Sequence, residues 1–452
     1  MVVRKLTVSS LLLVLSLLLV LPGCRSSSGS NRESSGNNGS SSPYSAEDSD
    51  AKPVTLRMMH IWPEDSSAQQ YKLVSQIIDQ YEKDHPNVTI KQEVIENDLY
   101  KNKLKVLSAF NELPDVGITW AAGFMDPYVK SGLFASLDDV VNGPELKDKF
   151  VPGTVEAYEV NGRTYALPIE LNITPIYYNK AIFAKYYLQV PATYSQFKQV
   201  VRMLASKGVE PVALGNKDRW MGSLWYMYLA ERIAGRGTLT QAISGTGTFE
   251  DAGLIQAAAE IQDLVDMNAF NKGFNGLSNE EGKTEFMDGR AAMFLTGTWE
   301  IPNFTTNPDV PQEFKDKVGF FKFPSVEGGS GDSNSWVGGP GAGLFVAENS
   351  KVKEEAKKFV SYFVAKWGEQ SVTDAGVIPA TKVDTANMKL PQIYADLLGE
   401  LNKASNITLF ADVQMKPDAA QVHLNMIQAL FGEAVTPEEF AKQHQAAAQK
   451  SN

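Results

Sequence analysis

Strand and helix patterns alternate between Val54 and Trp120, and this alternation constrains the fold more than any other feature of the chain. Residues 54–61, 88–94 and 115–120 are short extended runs rich in apolar side chains. Between these runs, apolar residues recur at helical spacing in the segments 66–84 and 99–110. A β-α-β-α-β order of this kind predicts a parallel sheet covered by helices, and therefore an α/β fold.

Two of these strand patterns end in a tryptophan, Trp62 after the first and Trp120 after the third. Ligands of parallel sheets bind outside the carboxyl ends of the strands. Both indoles are therefore candidates for lining a ligand site, although a tryptophan is also commonly a partly buried core residue.

The first residues have the pattern of a secretory signal. Arg4 and Lys5 precede an apolar run over 11–21, which is too short to span a bilayer comfortably. The run ends in Leu-Pro-Gly-Cys at 21–24, which resembles the bacterial lipobox, although Pro22 departs from the usual pattern. We predict a signal peptide at 1–23 and a lipidated Cys24. The alternative is an ordinary secretory signal with an incidental cysteine.

Residues 24–53 are mostly Ser, Gly and Asn, and such a composition has too few apolar side chains to fold. We predict that this segment is a flexible tether. It would hold the folded part at the outer face of the cell membrane through the lipid on Cys24.

Cysteine usage, net charge and missing motifs exclude several classes of function. Cys24 is the only cysteine, so no intrachain disulfide can form and the folded part has no thiol. A formal net charge of -11 argues against a nucleic acid partner. The four histidines show no metal-ligand spacing, and neither a complete P-loop nor a G-x-S-x-G elbow is present. We expect no metal, no cofactor and no catalytic residue.

Short motifs run through the remaining chain in a fixed order. The most specific is Phe-Met-Asp-Gly-Arg-Ala-Ala-Met at 286–293, which is closed by Gly-Thr-Trp at 297–299. Others are Leu-Pro-Asp-Val at 113–116, Asn-Gly-Arg-Thr-Tyr-Ala-Leu-Pro at 161–168, Tyr-Tyr-Asn-Lys at 177–180 and Gly-Val-Ile-Pro at 376–379. Together they resemble the bacterial extracellular solute-binding proteins of the maltose-binding, or family 1, type.

The resemblance implies a two-lobed periplasmic-binding fold, with parallel-type sheets flanked by helices and a hinge of crossing strands. The first lobe would comprise 54–170 and 297–342, and the second 171–296 and 343–452. A sugar or oligosaccharide would bind in the cleft between the lobes. The protein, which we expect to be a monomer, would deliver this cargo to the permease subunits of an ABC importer.

A sugar offers C–H faces that aromatic rings cover and hydroxyl edges that carboxylates and amides bind. The resemblance places Trp120, Trp220 and Trp299 at aromatic positions of the site. The polar candidates fall into three pairs. One pair follows the first strand, one lies where the chain would first cross between the lobes, and one precedes Trp220: Glu64 and Asp65, Glu170 and Asn172, and Asn216 and Asp218. The full set of candidate ligand-binding residues is Trp62, Glu64, Asp65, Trp120, Glu170, Asn172, Asn216, Asp218, Trp220, Trp299 and Trp336. Glu64 and Asp65 could equally be a solvated acidic pair that starts a helix.

The sequence leaves two other functions open. One is a surface lipoprotein enzyme that acts on polysaccharide, because acidic residues are plentiful and a glycosidase pair needs no local motif. The other is a related binder for a non-sugar solute such as a peptide or polyamine. Formation of products from labelled oligosaccharides would distinguish the enzyme from either kind of binding protein.

Overall fold

The computed structural model describes residues 52–451. The predicted signal peptide, Cys24 and almost all of the predicted tether lie outside the described residues. Within 52–451, no helix has both the length and the apolar composition that crossing a membrane requires.

The described chain alternates strands and helices along most of its length. The strands are β1 (Val54–His60), β2 (Val88–Val94), β3 (Val116–Thr119), β4 (Glu159–Val160), β5 (Arg163–Thr164), β6 (Leu167–Pro168), β7 (Leu171–Ile173), β8 (Ile176–Asn179), β9 (Glu210–Ala213), β10 (Ala291–Leu295), β11 (Val318–Phe321), β12 (Ser335–Pro340), β13 (Gly343–Val346) and β14 (Asn406–Thr408).

The helices are α1 (Ala68–Asp84), α2 (Asn97–Ala109), α3 (Asp126–Lys130), α4 (Asp138–Val141), α5 (Lys180–Lys185), α6 (Tyr194–Ser206), α7 (Trp220–Ile233), α8 (Thr238–Ser244), α9 (Ala252–Asp266), α10 (Asn279–Met287), α11 (Ile301–Thr305), α12 (Gln312–Lys315), α13 (Lys353–Gln370), α14 (Gln392–Asn402), α15 (Ala411–Gln414), α16 (Pro417–Phe431) and α17 (Pro437–Ser451). Short 3-10 turns lie at 156–158, 274–276 and 298–300, and a π-helical turn follows α13 at 371–375.

The first sheet has five strands in the order β2-β1-β3-β13-β6. Strand β1 pairs in parallel with both β2 and β3, with Val54 opposite Val88 and Met58 opposite Val116. These pairs confirm the β-α-β-α-β unit predicted from the sequence. The helix α1 covers this sheet with the apolar face that its periodicity predicted, because Val74, Ile77 and Tyr81 are buried.

The second sheet has four strands in the order β11-β8-β10-β9. Strand β10 pairs in parallel with β9 and antiparallel with β8. A third sheet, β14-β12-β7, includes residues 335–340. These residues are rich in Gly and Pro, and Gly338 and Gly339 pair with Ile173 and Asn172 of β7. A Cβ on Gly338 would lie 2.1 Å from the Asn172 carbonyl oxygen, so glycine permits this close pairing.

Buried apolar side chains form two separate cores. The first core takes its residues mainly from 56–169 and 342–367. The second takes them from 171–337 and from most of 378–448. Trp225 is buried in the second core and Trp367 in the first.

The cores divide the chain differently from the predicted ranges in two places. Residues 301–337 were assigned to the first lobe but pack in the second core, because β11 pairs with β8 of the second sheet. Residues 343–367 were assigned to the second lobe but pack in the first core, because β13 pairs with β3 of the first sheet. The chain therefore stays with the second core at Leu295, where a crossing was predicted.

Candidate functional site

A cleft lies between the two cores and is lined by side chains from both. The space between its walls, counted with the solvent at its mouth, is about 1120 Å³. Its lining residues are Ile61, Trp62, Pro63, Ser66, Ser67, Gln70, Glu96, Asn97, Lys101, Trp120, Glu170, Trp220, Ser223, Leu224, Met227, Asn279, Glu280, Trp299, Glu300, Asn303, Ala342, Phe410, Asp412 and Val413. We call the side that follows β1 and β3 the first wall, and the side formed by α7, α10 and residues 298–303 the second wall.

The first wall carries Trp62 and Trp120, which directly follow β1 and β3. Trp62 is only 4% exposed and packs against Trp367 of α13, with ring centroids 5.2 Å apart. Trp120 is 9% exposed and packs edge-on against Phe124 at 5.1 Å. The ammonium group of Lys101 lies 4.6 Å from the Trp120 ring centroid, which is within cation–π range. Both indoles are held from behind by aromatic packing.

The second wall carries Trp220 and Trp299, which are partly exposed. Trp220 begins α7, and Trp299 lies in the turn that follows β10. Their ring centroids are 5.9 Å apart in an edge-to-face arrangement, and Trp299 makes a similar contact with Phe410 at 6.1 Å. The three rings form a continuous aromatic surface of the kind that covers apolar ligand faces.

Gly297 sets the position of the Trp299 ring. A Cβ at residue 297 would lie 2.0 Å from the Trp299 ring atom Cζ3, so the indole folds over backbone that only glycine leaves open. Any larger residue at 297 would push the ring away from its place in the cleft.

Glu170 is a buried carboxylate without adequate partners. It lies between the two cores, lines the cleft and is 5% exposed. Its Oε2 accepts a hydrogen bond from Asn172 Nδ2 at 3.5 Å, while its Oε1 has no hydrogen-bond partner among residues 52–451. Burial raises the pKa of the Glu170 carboxyl to about 7, although the Asn172 hydrogen bond lowers it. Such a group would be stabilised by hydrogen-bond donors that a ligand supplies.

Two other carboxylates of the cleft, Glu280 and Glu300, are paired within the protein. The ammonium group of Lys283 lies 2.6 Å from Glu280 and 3.4 Å from Glu300, and Asn303 Nδ2 donates to Glu300 Oε2 at 2.8 Å. The cleft lining includes five acidic residues and one lysine, Lys101. The site is therefore acidic on balance, even after Lys283 behind the second wall is counted.

Three hydrogen bonds join the walls. Trp220 Nε1 donates to Asp98 Oδ2 at 3.4 Å, Gln70 Nε2 donates to the Trp299 carbonyl at 3.3 Å, and Asn303 Nδ2 donates to the Ser66 carbonyl at 3.4 Å. The walls are therefore in direct contact at the cleft, and the cleft is narrow.

The structure brings five of the eleven predicted ligand-binding residues to the cleft lining: Trp62, Trp120, Glu170, Trp220 and Trp299. Contact between these residues and a ligand stays a prediction.

Three predicted polar residues lie behind the lining and position it. Asn172 is buried, and its Oδ1 accepts from the Thr298 hydroxyl at 2.8 Å. Asn216 is also buried, and its Oδ1 accepts from the Gly222 backbone in the first turn of α7 at 3.0 Å. Asp218 accepts from the Asn279 backbone at 3.0 Å, which ties the loop before Trp220 to α10.

The remaining three predicted residues are outside the lining. Glu64 and Asp65 are exposed in the turn between β1 and α1. Trp336 lies in β12 and is 1% exposed in the second core. Its strand pairs with both β14 and β7.

Sequence reasoning missed most of the polar lining. Glu96, Asn97 and Lys101 come from the start of α2, and Asn279 and Glu280 from the start of α10. Ser223, Leu224 and Met227 lie on the same face of α7 as Trp220, at the spacing i, i+3, i+4 and i+7. That spacing was readable in the sequence once Trp220 was chosen as a candidate.

Two α/β cores facing each other across an aromatic and acidic cleft define a two-lobed binding protein. Among residues 52–451, no group of three His, Cys, Asp or Glu side chains could hold a metal ion. The arrangement presents rings and hydrogen-bond acceptors to a ligand.

Comparisons with known proteins give the family. A sequence model of the bacterial extracellular solute-binding protein family matches residues 65–366. A multiple sugar-binding protein of Streptococcus mutans is 25% identical over 315 residues, which are 68% of this chain and 71% of that protein. An Escherichia coli K12 protein named for the periplasmic-binding component of an ABC transporter is 26% identical over 394 residues, which are 80% and 82% of the two chains.

A solved structure from a study of xylan utilization by Caldanaerobius polysaccharolyticus matches the fold with a TM-score of 0.82. It is 34% identical and covers 88% of this chain and 100% of that chain. The protein therefore belongs to the bacterial extracellular solute-binding protein family and has its two-lobed α/β fold.

Proposed function

We propose that this protein is the extracytoplasmic sugar-binding component of an ABC importer. It captures a neutral sugar or oligosaccharide in the cleft and delivers it to the permease subunits. The names of the relatives support the sugar and the transporter, since one is a multiple sugar-binding protein and another is named for an ABC transporter.

The observation that carries the proposal is the combination of Glu170 with the aromatic surface. Glu170 is buried with one oxygen unpaired, and its surroundings raise its pKa to about 7. A sugar hydroxyl would donate to that oxygen, and a hydrogen bond to a charged group contributes about 1.5–3 kcal/mol. Trp299, Trp220 and Phe410 would cover the C–H faces of the same ligand.

We propose that binding involves no covalent chemistry. A ligand that contacts both walls favours the arrangement in which the walls are close, so it shifts an equilibrium between open and closed lobes. The two lobes in this proposal follow the two cores, with the chain passing between them near 169–171, 337–342 and 367–378. The competing hypothesis is a polysaccharide-degrading enzyme that uses two of the cleft carboxylates.

A ligand screen with product analysis tests the proposal. Thermal unfolding would be followed with xylotriose, maltotriose, N,N′-diacetylchitobiose, raffinose and galactose, with a dipeptide and spermidine as non-sugar probes. A ligand present at about 100 times its dissociation constant adds about 2.7 kcal/mol to the free energy of unfolding. We expect stabilisation by at least one sugar and its recovery intact by chromatography. Stabilisation by spermidine or the dipeptide alone, or cleavage of a sugar, would contradict the proposal.

We also propose that residues 1–23 are a signal peptide and that Cys24 carries the lipid that holds the protein at the outer face of the membrane. The leader and the lipobox-like sequence at 21–24 support this proposal. Mass spectrometry of the membrane-associated protein should find a lipid-modified peptide that begins at Cys24. A mature protein that begins at another residue and is released into the medium would contradict it.

A further inference from the structure

A chain of buried hydrogen bonds runs from the second wall of the cleft into the core behind it. Ser223 Oγ and His423 Nε2 are 2.7 Å apart, and His423 Nδ1 and His444 Nε2 are 2.8 Å apart. His444 Nδ1 lies 2.7 Å from the Phe440 carbonyl oxygen. Ser223 and the two histidines are at most 2% exposed. This chain links α7, α16 and α17, and only its Ser223 end lies at the cleft.

The Phe440 carbonyl oxygen, at the end of this series of hydrogen bonds, determines which atom donates in each of the others. A backbone carbonyl can only accept, so Nδ1 of His444 must carry a proton. Burial lowers the pKa of His423 well below its ordinary value and that of His444 to about 4, so both rings are neutral at pH 7. A neutral ring has one proton, so His444 Nε2 is a bare acceptor and His423 Nδ1 is the donor to it.

The protonation of His423 also determines the orientation of the Ser223 hydroxyl. The proton of His423 is on Nδ1, so its Nε2 is bare and accepts the hydroxyl proton of Ser223. The single proton of Ser223 is therefore directed into the core. Any additional partner of Ser223 Oγ must donate to it. A serine without the histidine pair could rotate its hydroxyl and donate instead.

Resting on the proposed function, we propose that Ser223 is a ligand-binding residue that acts only as a hydrogen-bond acceptor, and that His423 and His444 fix it in that role. The ligand it selects presents a free hydroxyl as donor at the Trp220 end of α7. A sugar that is O-methylated or deoxygenated at that hydroxyl would leave the serine without its donor.

A serine bonded to a histidine is also the arrangement of a nucleophile and its base. Acyl transfer additionally needs donors for the oxyanion. The amides of Gly222 and Ser223 are already engaged, since Gly222 N donates to Asn216 Oδ1 and Ser223 N donates to the Arg219 carbonyl. The neighbourhood therefore favours a binding role for Ser223 over a catalytic one.

The test combines affinity with a direct observation of the histidine protons. Xylotriose and N,N′-diacetylchitobiose would be titrated into the wild-type protein, Ser223→Ala and the control Ser206→Ala, which changes an exposed serine bonded to the Met203 carbonyl at the end of α6. We expect Ser223→Ala to weaken binding roughly 5- to 10-fold, as the loss of one neutral hydrogen bond implies. Ser206→Ala should bind as tightly as the wild type.

Nuclear magnetic resonance of ¹⁵N-histidine-labelled protein reports the tautomers without ligand. We expect both His423 and His444 to be protonated at Nδ1. We also expect the His423 Nε2 signal to shift when sugar binds, because a ligand hydroxyl that donates to Ser223 Oγ strengthens the hydrogen bond that Ser223 donates to His423. His444→Leu removes the acceptor and should move the His423 proton, whereas His444→Gln keeps an acceptor and should preserve it. If either variant fails to fold, the wild-type spectra still decide.

The outcomes separate this inference from the proposed function. Sugar binding that is equal in the wild type and Ser223→Ala, or a His423 protonated at Nε2, overturns the role of Ser223 and leaves the proposed function standing. Lack of binding of every sugar in the screen to the wild type contradicts the proposed function, and the role of Ser223 with it.

Discussion

The two walls of the cleft use the same residue type at the same topological position in different ways. Trp62 follows β1 and Trp299 follows β10, and both strands have a parallel neighbour. Trp62 is 4% exposed because Trp367 of α13 packs behind it, whereas Trp299 is partly exposed and lies over Gly297. A tryptophan at a strand end is therefore almost fully buried here when a helix covers it, and is left partly exposed in the cleft when it lies over glycine.

The largest effect should come from the first wall. Trp62→Ala removes an indole buried against Trp367, and such truncations cost about 3–5 kcal/mol of folding free energy. Urea unfolding monitored by circular dichroism would measure the loss. A variant as stable as the wild type that no longer binds sugar would show that Trp62 contacts the ligand, and that Trp62 and Trp299 do not differ in role.

The next effect belongs to Glu170, which lies between the walls. The pKa of Glu170 is about 7 in the folded protein, above the ordinary 4.5. Between pH 4.5 and pH 7 the carboxyl is therefore protonated in the folded state and ionised in the unfolded state. Stability from this group is complete below pH 4.5 and is lost as pH rises through 7. The loss is about 3 kcal/mol as an upper estimate.

Glu170→Gln has no such titration and provides the matched control. The difference in unfolding free energy between Glu170→Gln and the wild type should be larger at about pH 8 than at about pH 5. Taking the difference cancels the contributions of His423 and His444, which titrate in both proteins. A difference that is the same at both pH values would show that Glu170 is solvated or paired.

On the second wall, Trp299→Ala should reduce sugar affinity by about 2 kcal/mol, which is roughly 30-fold, while changing stability little. Trp336→Phe is the control, since Trp336 is buried in the second core away from the cleft lining. Calorimetric titration of both variants tests this difference. Equal affinities for Trp299→Ala and the wild type would remove Trp299 from the site.

The smallest effect should come from the negative charge of the cleft, to which both walls contribute. Five acidic residues and one lysine line the cleft, so a uronic acid on the ligand would meet repulsion. An aldotriuronic acid should bind more weakly than xylotriose by about 1–2 kcal/mol at low salt, and less so at high salt. Tighter binding of the acidic sugar would show that Lys101 dominates the field of the cleft.

Local patterns predicted the elements well. The helical patterns at 66–84 and 99–110 correspond to α1 and α2, and the three strands of the opening unit pair as expected. These features depend on periodicity and capping, which neighbouring residues determine. The return of β11 to the second sheet and of β13 to the first depends on pairing between distant segments. This is why the predicted lobe ranges were wrong at 301–337 and 343–367.

Site residues were predictable where the end of a strand places the side chain at the cleft. They were not predictable where a following turn or a distant element determines where the side chain lies. Trp120 and Trp299 follow strands, and both line the cleft. Glu64 and Asp65 also follow a strand, but the turn before α1 exposes them to solvent. The helical spacing from Trp220 could have placed Ser223 at the cleft. The proposed role of Ser223 depends on His423, which is 200 residues away in sequence, so no local pattern could have predicted that role.

We expect the cleft to bind a neutral sugar on the aromatic surface of its second wall. The most direct measurement is tryptophan fluorescence during titration with the sugar that stabilises the protein most, in the wild type and in Trp299→Ala. Sugar binding at this surface should give a saturable change in the wild type, a midpoint shifted roughly 30-fold in Trp299→Ala, and recovery of the sugar unaltered. An unshifted midpoint in Trp299→Ala, or a sugar recovered as fragments, would contradict it.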